Sequence, residues 1–271
     1  MRFTLFSLRV LIALGLCLGL IGQSASAAAC VKSVRWADTP PYAFKDAQGQ
    51  VRGLHVDLTK AALKRLGCDT RLVEMPWPRA ILELQRGRLD LLPAAANTRE
   101  RDSFALFSRP TNSARNVLFI ATRAEARYPL TSLTDIIGTD FRLAVQRGST
   151  YGNSYDALLK KPEFVQRLTY VYGQESAMRM IAADRVDGQM GDELSGLNAI
   201  HRLGLEKAVM RSKVVVSEDA DHIAFSKANN DAAFVKRFDE ALGAMVADGS
   251  YKRILEQYLS CPIRMERLGC Q

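Results

Sequence analysis

Gly87-Arg88-Leu89-Asp90-Leu91-Leu92-Pro93-Ala94-Ala95 starts with a glycine suited to ending a helix and runs into a segment, 89–95, that is almost wholly apolar. A strand apolar at nearly every position is buried on both faces, as happens in parallel sheets covered by helices. The flanking segments agree. Residues 31–37 alternate as a strand and end in Asp38-Thr39-Pro40-Pro41, a turn. Residues 54–66 put Leu54, Leu58, Ala61, Ala62 and Leu66 on one helical face, with Gly67 as the terminating glycine. Residues 70–75 read as a strand. Pro78 suits the first turn of a helix that Gly87 ends. Strand and helix alternate, which implies an α/β fold.

The second half repeats the scheme. Strands are expected at 141–145, 168–172 and 186–190, and helices at 151–159, 174–183 and 192–203. Gly87-Arg88-Leu89-Asp90 has an echo in Asp184-Arg185-Val186-Asp187, each joining a helix to a buried strand and each followed by a candidate functional charge. Two similar α/β lobes are therefore expected, each a mainly parallel sheet flanked by helices. Two further strands are expected in 214–226, and a pair of helices in 229–259 broken at Asp248-Gly249, returning to the first lobe. That gives lobe 1 as 28–112 plus 221–271 and lobe 2 as 113–220. The chain crosses between them near 109–115 and 217–221, and two crossings make a hinge beside a cleft.

The chain has 271 residues, 48% hydrophobic and 24% charged, a balance that excludes general disorder and a collagen-like fibre. Lys and Arg outnumber Asp and Glu by 37 to 29, a formal charge of +8. Arg2 and Arg9 belong to an N-terminal segment with a short apolar core, 10–21, and the small-residue pattern Ala25-Ser26-Ala27. This reads as a secretory signal, 1–27, cleaved after Ala27 or Ala29. Its two Arg removed, the balance is 35 − 29 = +6, scattered rather than clustered, and no nucleic-acid motif accompanies it. Ala27-Ala28-Ala29-Cys30 only faintly resembles a lipoprotein box, because the usual Leu three residues before the Cys is missing. Without Cys17, four cysteines remain in an oxidising compartment, and they permit three pairings. If the strands opened by Cys30 and Cys68 are parallel neighbours, a Cys30–Cys68 bridge is geometrically reasonable, and Cys261–Cys270 then closes the tail. No Cys-x-x-Cys or His-x-x-x-His spacing implies a metal, and no cofactor motif occurs.

No Gly-x-Ser-x-Gly, His-Glu-x-x-His or phosphate-binding loop supports catalysis. His55, His201 and His222 stand in no catalytic setting and read as ordinary surface or helix residues. The informative segment is Thr98-Arg99-Glu100-Arg101. With Thr98 as an N-cap after the buried strand, Arg101 falls at the third helical position, where a cation opposes the helix dipole. Arg101 either points into water or pairs with Asp90, Glu100 or Asp102, or else it grips a ligand carboxylate at the strand's carboxyl end. Asp192 is its counterpart in the other lobe, as an N-cap, a ligand partner or both. Gly148, Ser149, Thr150 and Tyr151 offer backbone amides and hydroxyls at another strand end. Tyr42, Phe44 and Trp77 are candidate aromatic walls, with core packing the competing role. Arg79 beside Trp77 is a candidate second positive group, with a surface role competing.

Asp38-Thr39-Pro40-Pro41-Tyr42, Gly53-Leu54-His55-Val56-Asp57-Leu58, Leu66-Gly67, Gly87-Arg88-Leu89-Asp90, Thr98-Arg99-Glu100-Arg101, Phe107-Ser108-Arg109-Pro110 and Arg185-Val186-Asp187 followed by Asp192 occur in order. Together they resemble bacterial extracellular solute-binding proteins of family 3, the periplasmic amino-acid receptors of ABC importers. The resemblance implies a type II periplasmic-binding-protein fold, two lobes closing on ligand about a two-strand hinge. It implies that Arg101 binds an α-carboxylate and Asp192 an α-ammonium, with Thr98, Thr150 and Tyr42 lining the site. The expected partners are an amino acid or similar zwitterion and an inner-membrane ABC permease, the protein acting as a periplasmic monomer. The sequence departs from the family at Pro93-Ala94-Ala95-Ala96-Asn97, where Ser, Gly or Thr usually supply donors. Two alternatives stay open: a secreted enzyme on the same fold, similar to cyclohexadienyl dehydratases with Glu193 as a candidate acid, or a sensor presenting to a membrane receptor.

Overall fold

A computed structural model describes residues 30–259, 262–266 and 268–270. The signal segment and Cys261, and with it the Cys261–Cys270 pairing, lie outside the described residues. Thirteen strands occur in chain order among those described: β1 Cys30–Trp36, β2 Phe44–Lys45, β3 Val51–Arg52, β4 Cys68–Glu74, β5 Leu91–Ala95, β6 Ala105–Phe107, β7 Asn112–Ala121, β8 Leu143–Gln146, β9 Leu168–Val171, β10 Gly188–Asp192, β11 Val209–Ser226, β12 Ile263–Arg264 and β13 Gly269–Cys270. Helices intervene at Leu54–Arg65, Trp77–Gln85, Asn153–Leu158, Pro162–Val165, Gln174–Ala182, Glu193–Leu203, Ala232–Ala247 and Ser250–Tyr258. The expected α/β alternation is present, with the last two helices broken at Asp248-Gly249. No helix among the described residues is long and apolar enough to cross a membrane.

The sheet is mixed. Its order is β4-β1-β5-β11-β7-β10-β8-β9, with β6 also on β11. On one flank β1 and β5 are parallel, and on the other β10, β8 and β9 are parallel. Two antiparallel strands occupy the middle. β7 and β11 pair from Val209↔Ala121 to Asp221↔Asn112, while β11 continues through His222↔Ala95 and Phe225↔Leu91 onto β5. The two strands expected within 214–226 are therefore a single one. At roughly 3.3 Å per residue its 18 residues reach up to about 60 Å. That is long enough to serve both flanks, and it makes the hydrogen-bonded path continuous.

Separate apolar clusters lie on the two flanks. Met75, Trp77, Leu84, Leu89 and Leu92 pack with Ala224 on the first. Phe119, Phe141, Phe164, Met178, Ile181 and Met190 pack on the second. Phe141, expected to open a strand, is instead a fully buried core ring that precedes β8. The echoed acids Asp90 and Asp187 both anchor strand starts. Asp90 Oδ2 accepts from the Ser33 amide and hydroxyl at 2.7 and 2.6 Å, and Asp187 Oδ2 accepts from the Arg142 amide and Nε at 2.9 Å each. Cys30 and Cys68 are both disulfide-bonded, in keeping with the expected pairing.

Candidate ligand-binding site

β1, β5, β8 and β10 all end at one cavity of about 190 Å³. Against the roughly 10–15 Å³ that admits one water, this is room for a small organic molecule. Open α/β sheets bind ligands at such carboxyl ends. Tyr42, Trp77, Arg101, Thr150, Tyr151 and Asp192 line it, six of the residues singled out in the sequence.

Arg101 reaches the cavity from the loop after β5. Just before that loop, still within β5, the backbone turns at Ala94, whose φ of 61° is in the sparsely populated left-handed region. Thr98 does not open a helix. Arg101 begins a 3₁₀ turn of three residues, Arg101–Ser103, and its amide lies 3.4 Å from Thr98 Oγ1. The expected conflict with a helix dipole disappears. Thr98 is outside the cavity lining and acts on Arg101 from behind.

Arg101 is only 5% exposed. Its Nη1 donates to the Ala96 carbonyl at 2.9 Å and its Nη2 to the Gly148 carbonyl at 3.1 Å. It also lies 5.7 Å from the centre of the Trp77 ring. No carboxylate pairs with it among the described residues, and burial lowers its pKa. Two of its five N–H donors are used in these bonds. Gly148 contributes its carbonyl, not the expected amide, and accepts from Trp77 Nε1 at 3.0 Å as well. Its φ of 75° is left-handed, so glycine is the residue that turns this carbonyl inward without strain.

Asp192 ends β10 and N-caps the helix Glu193–Leu203. Its Oδ1 accepts from the Ser195 amide at 2.8 Å, and Oδ2 accepts from the Tyr42 hydroxyl at 3.0 Å. The capping role and exposure to the cavity coexist. Gln174 Nε2 donates to the Asp192 carbonyl at 3.2 Å and Gln174 Oε1 accepts from Ser195 Oγ at 2.7 Å, fixing the turn. A Cβ on Gly191 would stand 2.7 Å from Gln174 Nε2, so any side chain there would have to displace the Gln174 amide. Burial raises the Asp192 pKa against the bonds from Ser195 and Tyr42. Tyr151 Oη accepts from the Gln146 amide at 3.1 Å and holds the loop after β8. Phe44 lies outside the cavity, edge-on to Tyr258.

Several cavity residues escaped the sequence reading. His55 is no surface residue. Its ring stacks on Tyr42 at 4.5 Å, and its Nε2 lies 2.9 Å from Asn112 Oδ1 and 3.9 Å from Asp221 Oδ2. The second cation is Arg35 on β1, not the exposed Arg79. Arg35 Nε donates to the Met75 carbonyl at 3.1 Å, and the guanidinium lies 5.5 Å from the centre of the Trp77 ring. Gln189, 1% exposed on β10, has an Oε1 without a partner among the described residues. Asp221 accepts from Asn112 Nδ2 at 2.9 Å. The signal for Asp221 was present in Glu218-Asp219-Ala220-Asp221, three acids on the segment read as a crossing. Among the described residues, no group of three His, Cys, Asp or Glu could hold a metal.

Burial, with Asp192 and Asp219 nearby, pushes the Asp221 carboxyl up to about 7, and burial holds His55 down to about 4. Between about pH 4 and 7 the folded protein keeps a proton on Asp221 that the unfolded chain releases, so this group's contribution to stability falls as pH rises. His55 opposes it from 6.5 down to 4, where the unfolded chain takes up a proton that the buried ring refuses. Asp221→Asn removes only the first effect. The variant is expected to gain on the wild type by on the order of 2 kcal/mol between pH 5 and pH 8, read from melting temperatures at both. A constant difference would contradict it.

Opposite charges at strand ends of both flanks, facing one cavity, define an α/β binding fold for a small polar molecule. The chain belongs to the bacterial extracellular solute-binding proteins, family 3, whose model matches residues 34–260. It is 23% identical to a histidine-binding periplasmic protein of Salmonella typhimurium (strain LT2), over 92% of this chain and 96% of the relative. Among solved structures it resembles an ancestral arginine-binding protein bound to glutamine, at 26% identity and a TM-score of 0.71, over 84% of this chain and 97% of that one. An ancestral amino acid-binding protein described as a precursor of cyclohexadienyl dehydratase matches at 25% and 0.69, over 85% and 95%. The two-lobed periplasmic-binding-protein fold is thus the fold of this chain.

Proposed function

We propose that the protein is a periplasmic receptor that captures an amino acid or similar small zwitterion and delivers it, as a monomer, to an inner-membrane ABC permease. The observation that carries this reading is the convergence of Arg101 and Asp192 on one cavity. A buried guanidinium without an anion is costly, and a ligand carboxylate supplies one in a bidentate geometry. Asp192 takes the ammonium, and Tyr42 and Trp77 flank the ligand. Lobes 28–112 plus 221–271 and 113–220 close about the β7–β11 pair. Bonds already cross between the flanks at the cavity, from Tyr42 to Asp192 and from Trp77 and Arg101 to the Gly148 carbonyl, and outside it the Arg202–Asp38 ion pair does the same. A ligand that touches both sides adds to them only in the closed state, which shifts the equilibrium toward closure.

The relatives' names, histidine- and arginine-binding, support an amino acid, and the histidine-binding relative supports the periplasm. The enzyme reading loses its candidate acid. Glu193 is tied to Arg211 Nε at 2.8 Å and Arg115 Nη1 at 3.5 Å, outside the cavity lining. Titration calorimetry of the mature protein against the common amino acids tests the proposal. Saturable heat with at least one is expected. No heat with any, at high protein concentration, contradicts it.

A further inference from the structure

We propose that the cavity takes a ligand with two amino-acid head groups, a diamino dicarboxylic acid, whose second head is held by Arg35 and Asp221. The inference rests on the function proposed above and extends it to the rest of the cavity. One amino acid satisfies one cation and one anion, Arg101 and Asp192. The same cavity is lined by one more cation, Arg35, and by two more acids, Asp219, which is exposed to water, and Asp221, which is not.

Above pH 7, where Arg35 and Asp221 are both charged, neither is paired with an opposite charge among the described residues. Among the described residues Arg35 bonds only to the Met75 carbonyl and pairs with no carboxylate. Asp221 accepts from the neutral amide of Asn112 and faces His55 at 3.9 Å, with its side chain 16% exposed. His55 does not compensate it, because the buried ring stays neutral. Arg35 also acts on His55, helping to hold the ring uncharged, so the two charges flank one imidazole without an ion pair joining them. Trp77 carries Arg101 at 5.7 Å and Arg35 at 5.5 Å from its ring centre, placing the two carboxylate-binding groups about one indole. An arginine or glutamate ligand would answer one of the extra charges and leave the other buried without a partner, at a cost. A second head group answers both. The buried Gln189 Oε1 adds an acceptor for an ammonium N–H.

Calorimetry at pH 8 with meso-2,6-diaminopimelate and L-cystine as two-headed probes, against norleucine, arginine and glutamate, tests this. At least one two-headed probe is expected to bind about tenfold or more tightly than every one-headed amino acid. Arg35→Met and Asp221→Asn should each erase that preference, with melting curves verifying the fold. A one-headed amino acid that binds equally or better overturns the inference while the proposed function stands. So does a preference that survives both substitutions in folded protein. Absence of binding by either kind overturns both together. The wild-type comparison decides even if a variant fails to fold.

Discussion

Arg101→Ala is expected to weaken amino-acid binding by about 2–5 kcal/mol, from roughly thirtyfold to several thousandfold in Kd. The size follows from where the side chain sits. The guanidinium is buried, so its loss leaves a ligand carboxylate without a partner away from water. It also strips the Ala96 and Gly148 carbonyls of a donor each, and removes one of the bonds between the flanks. Arg101→Lys keeps the charge but not the planar fork, so it should recover only part of the loss. Calorimetry of the three proteins measures the series. Equal affinity for wild type and Arg101→Ala would remove Arg101 from the site.

Asp192→Asn should cost about 2–4 kcal/mol of binding while leaving stability unchanged or slightly raised. Asparagine caps a helix as well as aspartate does: its Oδ1 still accepts from the Ser195 amide, while its Nδ2, in place of the second carboxylate oxygen, donates to the Tyr42 hydroxyl oxygen instead of accepting from it. What it lacks is the charge that pairs with an ammonium, a charge that burial already disfavours. Asp192→Ala loses the cap too, and its stability should fall by about 0.5–2 kcal/mol. Comparing the variants by calorimetry and urea unfolding separates the two roles. An asparagine variant that binds as tightly as wild type would make Asp192 a cap alone.

The fold was largely legible because apolar runs such as 89–95, glycine stops and alternating elements are local signals. β11 was less so. Its acidic middle, Glu218-Asp219-Ala220-Asp221, breaks the apolar pattern, and only the long-range pairing with β7 shows that it continues as one strand. Thr98 misled for a related reason. A hydroxyl three residues before a polar residue looks like a helix cap, whereas the backbone closes into a single 3₁₀ turn before β6. At the site, Arg101 and Asp192 follow buried strands and could be read from sequence. Arg35 and His55 could not. Arg35 sits within a strand between buried Val34 and Trp36, and His55 sits in a helix that carries no chemical motif. Only the convergence of β1, the helix Leu54–Arg65 and β11 brings them to the cavity. Gly148 was expected to offer its amide to a ligand, but it is not among the cavity-lining residues and its carbonyl instead meets Trp77 and Arg101, because sequence marks a glycine but not which way its peptide faces.

A crystal structure of the mature protein with its tightest-binding amino acid tests the central claim most directly. The ligand carboxylate is expected within hydrogen-bond distance of the Arg101 guanidinium and its ammonium within reach of the Asp192 carboxylate, in the cavity flanked by Tyr42 and Trp77. A ligand bound elsewhere, with Arg101 still held only by carbonyls and Asp192 only by Ser195 and Tyr42, would contradict it.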